Sequence, residues 1–228
     1  MTTRRLSGLL LGQRGARAEH GDGPGSATVS PSFSQSPEPE FPSRALGKFL
    51  EAVRARPAPV LLDLGPVIGS NIAFLGEAVS CKIHVEDVFA DLDRHVRQEA
   101  VDALPAFLER RFPLPDESLD GVFCWDLVDY LDPASAAALA AQLTRMLRPG
   151  GVLLGLFGTA APAECRYTKY VILDDERLRY RAYPAARGRQ RLLENRDIIK
   201  LFDRLRVSDS FLLKSALREM VFRKPAAA

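Results

Sequence analysis

Residues 60–71, Val-Leu-Leu-Asp-Leu-Gly-Pro-Val-Ile-Gly-Ser-Asn, constrain this chain more than any other stretch. A run this continuously apolar reads as a central parallel strand covered on both faces, since a half-exposed strand would alternate. The run Val60–Leu64 carries Asp63 at its carboxyl end. Gly65 and Gly69 then open backbone angles closed to other residues, and a helix starting near Ser70 or Asn71 offers unpaired N–H groups to an anionic ligand. Strand, acid, glycine turn and helix in that order predict an α/β fold whose ligand crevice lies at the carboxyl ends of its strands.

Later segments extend the same pattern. Cys81–Val85 reads as a second strand running into Glu86 and Asp87, about twenty residues on, where a doubly wound fold places the carboxylate that grips a ribose. Phe112-Pro-Leu-Pro-Asp-Glu-Ser-Leu-Asp120 leads into a further strand, Gly121–Trp125. An alanine-rich helix over Ala134–Leu147 follows, with Asp132 or Ser135 as candidate caps; Pro149-Gly150-Gly151 ends it and a strand Val152–Phe157 begins.

Taken in order, these segments resemble the class I S-adenosylmethionine-dependent methyltransferases over roughly residues 44–224. The most specific parts are Leu114–Leu131 (LPDESLDGVFCWDLVDYL) and Leu147-Arg-Pro-Gly-Gly151, which look very like that family's fourth and fifth strand motifs. The resemblance implies an α/β fold of three layers, Rossmann-like, with a mostly parallel sheet closed by an antiparallel C-terminal strand. It implies S-adenosyl-L-methionine as cofactor and methyl transfer by direct in-line displacement, where positioning supplies most of the acceleration and no covalent residue is needed.

Site residues follow from the same resemblance. Asp63 orders the glycine loop or the ligand amino group, Gly65 and Gly69 give backbone access to the methionine portion, and Asn71 lies at the helix start. Glu86 or Asp87 bonds the ribose hydroxyls; counting from Asp63 favours the first, while laying Lys82-Ile-His-Val85 on the strand favours the second. Trp125, Asp126 and Tyr130 face the pocket mouth at the end of the fourth strand, with Asp126 placed to orient or deprotonate an acceptor and Tyr130 standing where many relatives carry histidine. The structural alternative is that Trp125 is core and that the acids cap helices.

Two departures bear on activity. Asp63-Leu-Gly-Pro-Val-Ile-Gly69 has Val67 where the family's central glycine stands, so a side chain narrows the methionine slot. Ala106–Phe112 looks helical where the family carries its third strand, which is therefore expected to be short or absent. The alternative to an active enzyme is a catalytically inactive member of the fold that serves as an interaction or regulatory module.

Other chemistries lose support. The chain has no Gly-x-Gly-x-x-Gly for a dinucleotide, no Gly-Lys-Ser/Thr for a triphosphate, and no Asn/Asp-Pro-Pro-Tyr/Phe after the fourth strand for adenine or glutamine nitrogen methylation. Cys81-x-x-His84 puts its two side chains on opposite faces of a strand, so no metal is expected. Residues 160–228 hold 16 Lys and Arg against 9 Asp and Glu, a basic third that reads as solvated surface; the absence of an aromatic stacking series argues against nucleic acid, while a protein partner remains open. A small-molecule methyl acceptor is thus the expected substrate.

In 228 residues one domain is expected over 41–228, preceded by a disordered tail over 1–40 rich in Gly, Ser, Pro and Arg. Met-Thr-Thr-Arg-Arg-Leu-Ser-Gly-Leu-Leu-Leu is too brief for a signal core or membrane span, although an arginine-rich start is compatible with a transit peptide. Three unevenly placed cysteines point to a reduced, cytoplasmic setting.

Smaller elements complete the reading. Leu46, Phe49, Leu50 and Val53 predict an amphipathic helix from about Ser43 to Arg54, stopped by Pro57 and Pro59. Leu92–Leu108 is helical and broken near Pro105. Tyr167–Tyr183 alternates around Asp174-Asp-Glu176 and predicts an inserted β-hairpin, with the basic loop Ala185–Arg191 after it. Arg187, Arg189 and Arg191 are the expected specificity elements at the rim. Asn195 caps a helix over Arg196–Leu205, and Val207–Leu213 with Arg218–Arg223 form the closing antiparallel pair.

Overall fold

The computed structural model describes residues 38–161, 167–182 and 191–226. Its first elements are a short strand, β1 (Glu40–Pro42), and an amphipathic helix, α1 (Arg44–Arg54). Ser43 caps α1, its Oγ accepting from the Leu46 amide at 3.2 Å, and Glu219 from the far end of the chain accepts from the Ala45 amide at 3.2 Å. A carboxylate at a helix N-terminus meets both unpaired N–H groups and the positive end of the helix dipole, so this contact ties the two ends of the domain together.

Strand β2 (Val60–Asp63) leads into α2 (Gly69–Ala78), and β3 (Lys82–Val85) into α3 (Val88–Arg97). The expected break near Pro105 is displaced. Helix α3 ends at Arg97, and Pro105 instead lies in the first turn of a new helix, α4 (Leu104–Arg111), where its missing N–H costs nothing. Strand β4 (Leu119–Trp125) precedes α5 (Pro133–Met146), which Asp132 caps through the amides of Ala134 and Ser135. Strand β5 (Leu147–Gly158) starts at once. The Pro149-Gly150-Gly151 segment therefore lies inside β5 as an irregularity, with Gly150 at φ +76°, and does not form a turn that ends the helix.

The expected hairpin is present as β6 (Thr168–Asp174) and β7 (Arg177–Ala182). β1 adds to it, making a three-stranded sheet ordered β1-β7-β6. The tail expected over residues 1–40 otherwise lies outside the described residues, but Glu40 pairs with Arg179 in the sheet register and the Tyr180 amide donates to the Pro39 carbonyl at 3.1 Å. Helix α6 (Asn195–Leu201) is shorter than expected, and Asn195 is its first residue, with Glu194 in the cap position. β8 (Arg206–Leu212) and β9 (Leu217–Arg223) close the main sheet as an antiparallel pair.

The main sheet is ordered β3-β2-β4-β5-β9-β8, with β3, β2, β4 and β5 parallel and β9 antiparallel to β5. Among the described residues no strand continues the sheet beyond β3; α4 occupies the corresponding stretch of chain. Alternation along each strand divides the core. Leu62, Val122, Cys124 and Leu153 pack with residues of α3, α4, α5 and α6, whereas Leu61, Phe123, Leu154 and Leu156 pack with α1, α2 and the hairpin. This is the expected three-layer α/β architecture, with the hairpin enlarging one layer.

At Gly121 α1 comes close to the sheet: a Cβ there would stand 2.7 Å from Phe49 Cζ, 2.8 Å from Val53 Cγ1 and 2.9 Å from Leu61 Cδ2. Gly121→Ala is expected to destabilise the domain by about 1–3 kcal/mol through overpacking, read as a lower urea midpoint with an unchanged slope.

Candidate active site at the carboxyl ends of the central strands

Asp63 ends β2, 3% exposed, and one of its oxygens does two jobs. Oδ1 accepts from the Gly65 amide at 2.8 Å and from the indole Nε1 of Trp125 at 2.6 Å. The first bond shapes the glycine loop; the second ties that loop to the end of β4. Burial pushes the Asp63 carboxyl up to about 6, against the pull of the Trp125 and Gly65 hydrogen bonds.

Trp125 does not stand at an open mouth. It is 2% exposed, stacked between Phe123 (ring centroids 4.9 Å apart) and Tyr170 (5.2 Å, 7° between planes). Its φ of +51° is a conformation that bulky residues avoid, and such strain persists only where surrounding contacts over-determine it. A Cβ on Gly65 would lie 2.9 Å from the indole nitrogen, so glycine is required there by close approach.

The rest of the loop is open. A Cβ on Gly69 would meet nothing within 4 Å, and Val67 is 64% exposed, so the side chain that replaces the family's central glycine is not packed into the protein. Asn71, also expected to face the ligand, is buried and spent on the hairpin: Nδ2 donates to the Tyr170 carbonyl and Oδ1 accepts from the Ile172 amide, both at 2.8 Å. An amide side chain has here replaced a neighbouring strand for two residues of β6. No sequence signal marked this, because Asn71 and Tyr170 are 99 residues apart.

Glu86 and Asp87 follow β3, and the Glu86 amide donates to the Asp63 carbonyl at 2.8 Å, which sets both acids beside the glycine loop. Their side chains have different partners. Asp87 Oδ1 caps α3 by accepting from the Ala90 amide at 2.9 Å, while Glu86 Oε2 pairs with Arg111 Nη1 at 2.7 Å.

Asp126 lies beyond β4, 3% exposed. Tyrosines from both layers hydrogen-bond to it, Tyr130 from the short helical turn after β4 and Tyr170 from the hairpin. Burial, reinforced by the neighbouring Asp129 carboxylate, pushes the Asp126 carboxyl up to about 8. Oδ1 of Asp126 is buried without a hydrogen-bond partner among the described residues. Tyr130 is 7% exposed and packs edge-on to Tyr167, ring centroids 4.7 Å apart, so neither it nor Asp126 opens to solvent as expected. The second tyrosine, Tyr170, was legible only as a hairpin residue.

Of the arginines expected at the rim, Arg187 and Arg189 lie outside the described residues. Arg191 donates through Nη1 to the Leu131 carbonyl at 2.9 Å and lines a groove of about 640 Å³ between α5 and α6, with Ala136, Ala140, Thr144 and Arg204. The basic character of the hairpin is largely neutralised: Arg179 pairs with Glu40 at 2.5 Å, Arg181 with Glu38 at 2.6 Å and Arg177 with Asp174 at 2.7 Å. Cys81 and Cys124 are free thiols, and no helix among the described residues is long and apolar enough to cross a membrane.

Residues 61–151, from β2 into β5, match the family model described as a methyltransferase domain. This segment, about two-fifths of the chain, is thus similar to the methyltransferase domain, as the sequence resemblance implies. Among solved structures it is similar to the Burkholderia thailandensis 1,6-didemethyltoxoflavin-N1-methyltransferase, at 18% identity over 80% of this chain and 77% of that one, with a TM-score of 0.48. It is similar at 14% identity to a SAM-dependent methyltransferase from Aquifex aeolicus (78% and 88% covered, TM-score 0.48), and at 13% to the [4+2]-cyclase SpnF (79% and 81%, TM-score 0.47). No curated protein sequence matches it.

The residues present are compatible with S-adenosyl-L-methionine, the cofactor that the resemblance implies. Open space at Gly69 and an exposed Val67 leave the loop accessible, and the unpartnered Asp126 Oδ1 is an acceptor directed at no protein donor. Asp63, Gly65 and Gly69 would hold the methionine end, Trp125 would line it, and Glu86 or Asp87 would take the ribose.

Trp125 is the sole tryptophan of the chain, so its fluorescence reports on this site alone. Its emission is expected to titrate with a midpoint near 6 as Asp63 ionises, and Asp63→Asn is expected to abolish that step. Asp63 and Asp126 both sit above the unfolded carboxylate value of about 4, so the folded state holds their protons more tightly. Their linkage makes stability greatest at low pH and lowers it as pH rises through about 6 and then about 8. Denaturant titrations across this range should give a shallower decline for Asp126→Asn.

Proposed function

We propose that this protein transfers a methyl group from S-adenosyl-L-methionine to a small-molecule acceptor by in-line displacement. The observation that carries this reading is the Asp63 carboxylate held between the Gly65 amide and the Trp125 indole, which joins the glycine loop of β2 to the end of β4 at one rim of the sheet. The bound cofactor supplies an electrophilic methyl on a sulfonium. The chain's own residues supply position. Glu86 and Asp87 stand beside the loop to engage ribose hydroxyls.

Asp126 is suited to handle the acceptor's proton. It is buried, raised to about 8 and flanked by Tyr130 and Tyr170, so near neutral pH it holds a proton and at higher pH it accepts one. With Tyr130 and Tyr170 fixing one oxygen, Oδ1 is left to meet a donor on the substrate side. The enclosed, aromatic surroundings suit a small acceptor better than a polymer. Two free thiols among the described residues suit the cytoplasmic setting proposed from cysteine usage.

A second reading is favoured by one observation: the indole of Trp125 stands against Gly65, on the face where the methionine end would lie. If that ring does not yield, the fold serves as a non-catalytic interaction module. Calorimetry with S-adenosylhomocysteine decides between them. Micromolar binding, accompanied by a change in Trp125 fluorescence and weakened at least tenfold by Glu86→Ala/Asp87→Ala, about 1.4 kcal/mol, is expected. Absence of binding at millimolar ligand would leave the non-catalytic reading.

A further inference from the structure

We propose that Arg111 is the positioning residue that makes Glu86, not Asp87, the carboxylate gripping the ribose; this rests on the cofactor reading above. Arg111 is the last residue of α4, the helix that runs where the family's third strand would be, so the departure that removed a strand has delivered a guanidinium to the rim of the nucleoside site.

The geometry is a chain of charges anchored at one end. Arg111 Nε donates to Asp91 Oδ2 and its Nη1 to Glu86 Oε2, each at 2.7 Å. Asp91 is 6% exposed and doubly engaged, its Oδ1 accepting from Arg94 at 2.6 Å and its carbonyl lying 2.7 Å from His95 Nδ1. The inner member is therefore fixed. The outer member, Glu86, keeps 29% of its side chain exposed, and its backbone is tied to the end of β2 through the Asp63 carbonyl.

Such a clamp serves a ribose acid in two ways. A planar guanidinium held at one edge presents its other N–H groups in a fixed direction, so Glu86 is confined before any ligand arrives and the entropy of ordering it is not lost on binding. A carboxylate has about four lone-pair positions, and one N–H from Arg111 leaves the remainder for hydroxyl donors. Asp87 is differently committed, with Oδ1 capping α3.

The experiment measures affinity of the full chain for S-adenosylhomocysteine and for its 2′-deoxy counterpart, in wild type and in Arg111→Met, Arg111→Lys, Glu86→Gln and Asp87→Asn. Wild type is expected to prefer the hydroxylated ligand about tenfold, as for one charge-assisted hydrogen bond. Glu86→Gln should abolish the preference, Arg111→Met should reduce it severalfold with Arg111→Lys between them, and Asp87→Asn should leave it intact. Adding Arg111→Met to Glu86→Gln should change nothing further, since both act through one group. A merely structural role for Arg111 would weaken both ligands equally and leave the ratio unchanged. That result, tighter binding by Arg111→Met, or loss of the preference in Asp87→Asn overturns the proposal while leaving the cofactor reading standing. No binding by wild type overturns both.

Discussion

A single buried carboxylate oxygen, Asp63 Oδ1, determines how the two halves of the site meet. Burial of a carboxylate is costly unless its lone pairs are satisfied. Here the partners are the Gly65 amide, local to the strand, and the Trp125 indole, 62 residues away. The loop cannot move without stranding the acid, and Trp125 is held in a left-handed backbone conformation that it would not otherwise keep. Around this bond the aromatic stack Phe123–Trp125–Tyr170 packs the inserted hairpin against the end of β4.

The hairpin is attached by polar groups that mimic backbone. Asn71 satisfies one carbonyl and one amide of β6, where an unpaired strand edge would leave both bare in a buried place. Tyr170 uses its hydroxyl on Asp126 and its ring on Trp125. One insertion therefore contributes to the stack around Trp125, to the environment of a buried acid and to the burial of the helix start. β1 supports it from the other side, and acids at 38 and 40 neutralise arginines that the composition alone presents as a free basic surface.

Replacement of a strand by α4 had a related effect. A third strand would have covered β3; a helix ending in Arg110-Arg111 instead brings a cation to Glu86 and Asp91. The helical pattern of Ala106–Phe112 was visible in the residues, because Glu109, Arg110 and Arg111 do not alternate with apolar partners as a strand requires. What Arg111 would touch was not visible, since ion pairs across 20 or more residues leave no periodic trace.

Sequence by itself determined the order and kind of the elements, the parallel core and the position of the glycine loop. Those features rest on local periodicity and on glycine, proline and capping chemistry, which act within a few residues. It misplaced what depends on neighbours distant in the chain. The residues alone point Asn71 at a ligand, Trp125 at a mouth and the Pro-Gly-Gly segment at a turn; in the fold Asn71 bonds a strand, Trp125 lies buried in an aromatic stack and Pro-Gly-Gly lies within β5. Only tertiary structure decided these, because the partner that satisfies a buried polar group or stacks on a ring is chosen by packing, and packing brings together residues whose separation along the chain carries no information about their contact.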